Sequence, residues 1–174
     1  MQAYLKDFGE PTLGFSPDGT FPVVLGEKGV QTITMRFVGD TFDYREFELL
    51  AFQAGTRDNV VPGKATAIVK LSDNQDINLF LKQYEQYLTA EPLISGIGQY
   101  DDGEIHLTLY GKSVHGAYPE DGLNAGTYLA HFLSHYAFQH QAQALLHQLG
   151  DVYHRDVFAA NIGLAYHDQI MGDL

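Results

Sequence analysis

The sequence predicts an α+β fold: a two-layer sandwich whose mostly antiparallel four-stranded sheet has two helices on one face, followed by a C-terminal helical extension. Three observations predict it. Several short segments alternate apolar and polar residues, as half-buried strands do. Two of these segments flank an Asp-Gly pair, which favours a tight hairpin turn. Two longer segments repeat apolar residues at the helical period, which is typical of helices that cover a sheet.

The strand candidates follow from alternation and from the turn residues between them. Residues 30–38 alternate apolar and polar residues, which predicts a half-buried strand. FELLAFQAG (47–55) and KATAIVKL (64–71) predict two more strands, separated by a loop. LISGIGQYDDGEIHLTLYG (93–111) predicts a hairpin that turns at Asp102-Gly103.

The helix candidates lie on either side of this hairpin. Residues 72–88 predict a helix capped by Ser72 or Asp73. Its apolar stripe consists of Ile77, Phe80, Leu81, Tyr84 and Leu88. A second helix is predicted from about Leu123 to Phe138, with Leu129, Phe132, Leu133 and Tyr136 buried. The remaining residues are predicted to be helical and irregular.

Composition excludes several classes of function. Lysine and arginine number 10 against 22 aspartate and glutamate residues, a formal net charge of -12, which disfavours nucleic acid and anionic membrane surfaces as partners. The absence of cysteine excludes disulfides, thiolate zinc sites and cysteine nucleophiles. No apolar run approaches the roughly 20 residues that span a bilayer. With no basic-then-apolar start typical of a signal peptide, a cytoplasmic protein is expected.

The segment GKSVHGAYPEDGLNAG (111–126) contains the strongest candidate for chemistry. It places His115 in a loop between a predicted strand and a predicted helix. Gly111 and Gly116 are expected to allow unusual backbone angles, so that the imidazole projects from the edge of the sheet as a hydrogen-bond donor. A loop histidine packed on its neighbours is the alternative.

This segment resembles the Gly-x-x-x-His-Gly-x-x-Pro-x-x-Gly-x-Asn-Ala signature of a lid, or dimerisation, domain. That domain occurs in the zinc metallopeptidases that include aminoacylase, carboxypeptidase G and carnosinase-like dipeptidases. GFSPDGTFPVVLGEKGV (14–30) and HDQIMGDL (167–174) are similar to segments of the PepV-type dipeptidases within this family. The resemblance runs through nearly the whole chain, yet it covers only an interior portion of such an enzyme.

The resemblance implies roles for three residues. His115 would contact the scissile carbonyl oxygen of a bound dipeptide, and Asn59 in the segment NVVP would assist it, so that both stabilise the oxyanion. Asp18 in the segment SPDG would be a zinc ligand of the full enzyme, which holds two zinc ions and uses a glutamate as general base. By composition alone, Asn59 and Asp18 are turn residues.

The resemblance also implies what the chain lacks. The rest of the family's metal set is expected to be absent from this chain: the His-x-Asp motif, the adjacent Glu-Glu pair that acts as base and ligand, and the late catalytic histidine. A catalytic zinc ordinarily has three protein ligands. We therefore expect this chain alone to bind no catalytic zinc and to cleave no dipeptide. Its expected partner is the missing catalytic domain. Homodimerisation through the lid is a further expectation.

The expected organisation has three parts: a connector from the absent catalytic domain (1–22), the α+β lid (23–138), and a helical extension that is apparently truncated (139–174). A non-catalytic α+β binding or oligomerisation module is the alternative function. A small metal-binding protein is a weaker one, because His131 and His135 lie one turn apart. Both histidines lie opposite the apolar stripe, which predicts a solvated face.

Overall fold

A computed structural model describes residues 6, 7, 9, 12, 29, 32–37, 46–170, 172 and 173. Its centre is a four-stranded antiparallel sheet in the order β1-β2-β4-β3. The strands are β1 (Phe47–Ala54), β2 (Lys64–Leu71), β3 (Ser95–Asp101) and β4 (Glu104–Tyr110). The predicted α+β sandwich is confirmed, since helices cover one face of this sheet.

The hairpin between β3 and β4 forms as predicted. Asp102 and Gly103 both have positive φ angles, of 46° and 87°, which is the backbone that a two-residue turn of type I′ requires. The register pairs Asp101 with Glu104. β4 then pairs with β2, and the alternating residues of both strands that face the helices are buried: Ala65, Ala67, Val69, Ile105, Leu107 and Leu109.

Residues 46–170 contain three α-helices: α1 (Ile77–Ala90), α2 (Ala125–Ser134) and α3 (His140–His147). The cap of α1 differs from the prediction. Asp76, and neither Ser72 nor Asp73, accepts hydrogen bonds from the backbone amides of Asn78 (2.9 Å) and Leu79 (3.1 Å).

The second helix is shorter than predicted and does not reach Phe138. It ends at Ser134 because the chain then turns towards the edge of the sheet, where the carbonyl of Ala137 accepts a hydrogen bond from the Phe47 amide at 3.2 Å. Phe138 is buried there, against the ring of Phe47 at 5.6 Å between centroids. Tyr136 is only half-buried, and its hydroxyl donates to Gln83.

The core lies between the sheet and the helices. The stripe of α1 contributes Phe80 and Tyr84, which contact Phe132 of α2 at centroid distances of 5.5 Å and 4.9 Å. The buried hydroxyl of Tyr84 donates to the backbone carbonyl of Thr108 on β4 at 2.9 Å. This bond satisfies a polar group that burial would otherwise penalise.

Residues 32–37, the described part of the predicted first strand, form no regular secondary structure, and Ile33, Met35 and Phe37 are exposed. The strand prediction is therefore wrong for these residues, because alternation stabilises a strand only where a neighbouring strand pairs with it. Near the start of the chain, Gly9 has a φ of 72° after the helical Lys6 and Asp7, a backbone angle that glycine favours at the end of a helix.

The chain after α3 packs back onto α2. A π-helical turn (Gln148–Val152) places Gly150 so close to α2 that an added Cβ would lie 2.6 Å from the Ala130 carbonyl carbon. A 3₁₀ turn (Ala160–Ile162) and a short ladder of β5 (His167–Asp168) with β6 (Gly172–Asp173) follow. Within the described ranges, no helix is long and apolar enough to cross a membrane.

Candidate functional site

Two loops meet at one end of the sheet. The Asn59 loop (residues 55–63) joins β1 to β2, and the His115 loop (residues 111–124) joins β4 to α2. Because β2 and β4 are antiparallel neighbours, with Lys64 paired to Tyr110, the start of β2 and the end of β4 lie at the same edge of the sheet. The two loops therefore continue side by side.

Backbone hydrogen bonds fix the loops to each other. Val60 and His115 form an antiparallel bridge. Three amides donate across the junction: Gly111 to the carbonyl of Gly63 (3.0 Å), Val61 to that of Val114 (2.9 Å), and Gly116 to that of Asn59 (2.8 Å). Asn59 and His115, which are distant in sequence, thus become neighbours across a short ladder.

The His115 loop is also fixed to itself and to α2. Lys112 and Leu123 exchange both backbone hydrogen bonds, at 2.9 and 3.0 Å. The side chain of Asn124 then caps α2 by accepting from the amides of Gly126 (3.0 Å) and Thr127 (3.3 Å). The base of the loop is therefore a closed ladder, as a rigid scaffold for an exposed functional residue requires.

The two candidate side chains lie on the exposed side of the junction. His115 and Asn59 are both exposed. The chain reverses directly after the histidine, since the Tyr118 amide donates to the His115 carbonyl at 3.0 Å. The Ala117 amide donates to Nδ1 of the His115 ring at 3.1 Å. The imidazole and the carboxamide both carry N–H groups suited to an anionic oxygen.

The glycines of the junction allow the backbones of neighbouring segments to approach each other closely. Neither Gly111 nor Gly116 has a positive φ, so the expectation of unusual backbone angles is wrong. A Cβ added to Gly111 would lie 2.2 Å from the Leu123 carbonyl oxygen, and one added to Gly116 would lie 3.1 Å from the Asn59 carbonyl oxygen. Sequence reasoning selected these residues but missed that they permit the loops to touch.

A surface pocket of about 510 Å³ adjoins the junction. Residues of both loops line it, among them Thr56, Val60, Pro62 and Ser113, together with Lys64 at the start of β2. The cavity is large enough for a small ligand.

The family model described as a peptidase dimerisation domain matches residues 101–163, which include the whole His115 loop. Proteins similar to this chain match it over a longer range. A protein of Staphylococcus haemolyticus, provisionally named a dipeptidase, is 35% identical over 176 residues, which is 99% of this chain and 37% of the relative.

Two further relatives match the chain over nearly the same range. A provisionally named dipeptidase of Staphylococcus aureus is 35% identical over 178 residues, covering 98% of this chain and 36% of its own length. The beta-Ala-Xaa dipeptidase of Lactobacillus delbrueckii subsp. lactis is 34% identical over 171 residues, covering 98% and 35%. The chain thus spans just over a third of the length of these relatives.

The described residues do not assemble a zinc site. Asp18, the predicted ligand, lies outside them, so that prediction stays a prediction. Elsewhere in the ranges that the structure describes, no group of three or more histidine or acidic side chains is placed to hold a metal ion. A catalytic zinc needs about three such ligands, so these residues do not fit the metal.

Of the two histidines at the end of α2, His135 lies on a solvated face and His131 forms packed contacts. His135 is exposed as predicted, but His131 is half-buried under the π-helical turn, and its Nδ1 donates to the Gly150 carbonyl at 2.9 Å. The ring of His154 stacks on that of His131 with centroids 4.2 Å apart and planes 6° apart. The solvated-face prediction is wrong for His131, because the later chain covers it.

An acidic residue completes this cluster. Asp151 accepts hydrogen bonds from His147 and from Ser134, the latter at 3.0 Å. Burial opposes the ionisation of Asp151, but these hydrogen bonds, together with the electrostatic attraction of His147 and His131, lower the pKa of the carboxyl. His154, Arg155 and Asp156 do form a His-x-Asp triplet, but Asp156 accepts from the amides of residues 160 and 161, so its role is structural.

Proposed function

We propose that this chain is the lid portion of a zinc-dependent dipeptidase, in which His115 and Asn59 orient the substrate and stabilise the oxyanion formed during peptide hydrolysis. The observation that carries the proposal is the pairing of two distant loops, which brings both residues together at one exposed end of the sheet. The dipeptidase names of the relatives, matched over nearly the whole chain, supply the reaction class.

The chemistry asked of the two residues is electrostatic. When a nucleophile attacks a peptide carbonyl, negative charge grows on the carbonyl oxygen, and donors already aimed at that position lower the barrier. A ring N–H of His115 and the carboxamide N–H of Asn59 are such donors. Their backbones are held by the ladder between the loops, so little reorganisation is needed when the substrate binds.

The remainder of the reaction belongs to another part of a longer enzyme. The described residues supply no zinc ligand set. The partner is therefore a catalytic domain, the ligand is a dipeptide, and the location is the cytoplasm. We retain the boundaries 1–22, 23–138 and 139–174 as part of the proposal, with the qualification that Ala142 and Leu146 of the last segment share the core of the lid.

The test uses the full-length enzyme that contains this segment. His115→Ala and Asn59→Ala should each lower kcat about 10²–10³-fold, as loss of one oxyanion donor does. Their free energies of unfolding should change by less than about 0.5 kcal/mol, because both side chains are exposed. Asp58→Ala is the matched control, since Asp58 is the exposed neighbour of Asn59, and it should leave kcat unchanged.

Two results would contradict the proposal. Variants of His115 that lose stability and activity together would show a structural residue. Dipeptide hydrolysis by the purified 174-residue chain, with or without zinc, would show that no other domain is needed.

A second candidate function is oligomerisation. β1 and β3 are the edge strands of the sheet, and β3 exposes Ile97 (50%) and Tyr100 (51%) next to Leu93 (72%). An unpaired edge with apolar side chains favours strand pairing between copies. Sedimentation equilibrium of the chain, compared with Ile97→Lys, measures this directly: a dimer that the substitution dissociates supports homodimerisation through β3.

A further inference from the structure

The ring of His115 accepts one hydrogen bond that plays no part in the proposed oxyanion role. The amide N–H of Ala117 lies 3.1 Å from Nδ1 of the imidazole, two residues back along the chain. An amide nitrogen can only donate, so Nδ1 must accept with its lone pair. A neutral imidazole carries one proton, and that proton then resides on Nε2.

We infer that the backbone of the His115 loop holds this histidine as the Nε2–H tautomer, and that Gly116 is the positioning residue that makes the arrangement fit. This inference rests on the proposed function and deepens it, because it specifies which ring atom meets the substrate oxygen. The donor is Nε2–H, and it is available while the ring is neutral.

Gly116 holds together the two halves of the site. Its amide donates to the Asn59 carbonyl at 2.8 Å, and an added Cβ would lie 3.1 Å from that oxygen and 3.3 Å from its carbon. Both distances are shorter than ordinary contacts, so a side chain at Gly116 requires the Asn59 backbone to shift by a few tenths of an ångström. The same glycine precedes the Ala117 amide that contacts the ring. A displacement here therefore alters both the placement of Asn59 and the hydrogen bond to His115.

In two other histidines of the same molecule, Nδ1 faces a carbonyl oxygen and not an amide N–H. Nδ1 of His135 lies 2.8 Å from the His131 carbonyl oxygen, and Nδ1 of His131 lies 2.9 Å from the Gly150 carbonyl oxygen. A carbonyl only accepts, so these rings carry the proton on Nδ1 when neutral. His115 and His135 should thus be opposite tautomers in one sample.

The tautomer has a direct consequence for the reaction. If the proton were on Nδ1, the Nε2 lone pair would face the growing negative charge and repel it. With Nδ1 occupied by the Ala117 amide, the ring donates a hydrogen bond to the oxyanion without any proton leaving the enzyme. His115 then works as a fixed dipole and not as an acid or a base.

The experiment is solution NMR on the uniformly ¹⁵N-labelled 174-residue chain at a pH about two units above the ordinary histidine pKa of roughly 6.5. Long-range ¹H–¹⁵N spectra distinguish the protonated ring nitrogen from the unprotonated one. We expect Nε2 to be the protonated nitrogen of His115 and Nδ1 that of His135. A nitrogen–nitrogen scalar coupling between the Ala117 amide and His115 Nδ1 should report the hydrogen bond itself.

Two pairs of variants sharpen the test. Ala117→Pro removes the amide hydrogen and should abolish the coupling, whereas Ala117→Ser keeps the amide and should preserve it. Gly116→Ala should weaken or abolish the coupling, and Gly29→Ala, whose added Cβ meets no atom of the described residues within 4 Å, should not. Amide spectra of the rest of the chain verify that each variant is folded.

The outcomes separate this inference from the function on which it rests. A protonated Nδ1 on His115, or no coupling to Ala117 in the unsubstituted chain, overturns the tautomer. A coupling unchanged in Gly116→Ala overturns the role of that glycine. If the tautomer is observed but His115→Ala leaves kcat of the full enzyme intact, the oxyanion role fails while the local geometry stands.

Discussion

The stacked pair of His131 and His154 predicts a pH-dependent loss of stability. The Nδ1 atom of His154 is buried without a hydrogen-bond partner among the described residues, and its ring contacts the edge of Tyr128 at 4.6 Å between centroids. Burial, with smaller contributions from His131 and Arg155, lowers the pKa of His154 from 6.5 to about 4, and Asp151 offsets this only in part.

The sign follows from proton linkage. Between pH 6.5 and 4 the unfolded chain binds a proton at this ring and the folded chain does not, so acid favours unfolding. The contribution of His154 is fully present above pH 6.5 and is lost as pH falls to about 4. One pKa unit is worth about 1.4 kcal/mol, which limits the loss to roughly 3 kcal/mol. The ring is only half-buried, so screening by water should reduce it to about 1–2 kcal/mol.

The assay is urea unfolding at pH 7.5 and pH 4.5 of the unsubstituted chain and of His154→Phe, which keeps an aromatic ring against Tyr128. Carboxylates also titrate in this range, but they do so in both proteins, so the difference isolates His154. The unsubstituted chain should lose about 1–2 kcal/mol more than the variant. His135→Phe, one turn from His131 and exposed, is the control and should behave as the unsubstituted chain does. Equal losses in His154→Phe and the unsubstituted chain would refute the reasoning.

The remaining predictions concern stability of the sandwich. Tyr84→Phe removes the donor to the Thr108 carbonyl from a fully buried site. Chemical denaturation should show that the free energy of unfolding falls by about 1–2 kcal/mol. A change near zero would mean that water replaces the bond. Asn124→Ala removes the cap of α2 and should cost about 1 kcal/mol, measured in the same way, whereas Asn124→Asp, which keeps a capping oxygen, should retain most of the stability.

The elements predicted correctly are those whose sequence signals are local. The Asp102-Gly103 turn fixes the β3–β4 hairpin through its own backbone angles, and the stripe containing Phe80 and Tyr84 defines the buried face of α1. The cap of α1 was misplaced because Ser72-Asp73-Asn74-Gln75-Asp76 offers several residues that can cap. Which of them caps α1 depends on where the first turn of the helix packs against the core, and there the cap is Asp76.

The incorrect predictions concern features that depend on contacts between residues far apart in the sequence. The end of α2 depends on the hydrogen bond between Phe47 and Ala137, and no residue near position 134 signals it. The burial of His131 depends on Gly150, which an added side chain would separate from α2. In the candidate site, sequence resemblance selected Asn59 and His115, but their adjacency comes from the pairing of β2 with β4, which no local pattern encodes.

The ladder between the Asn59 and His115 loops has a consequence for the order of assembly during folding. The two loops are separated along the chain by β2, α1, β3 and β4, so bringing them together from an unfolded coil carries a large closure entropy. Pairing of β2 with β4 removes most of that cost before the loops meet. The junction of the two loops is therefore expected to form late in folding, after β2 and β4 have paired.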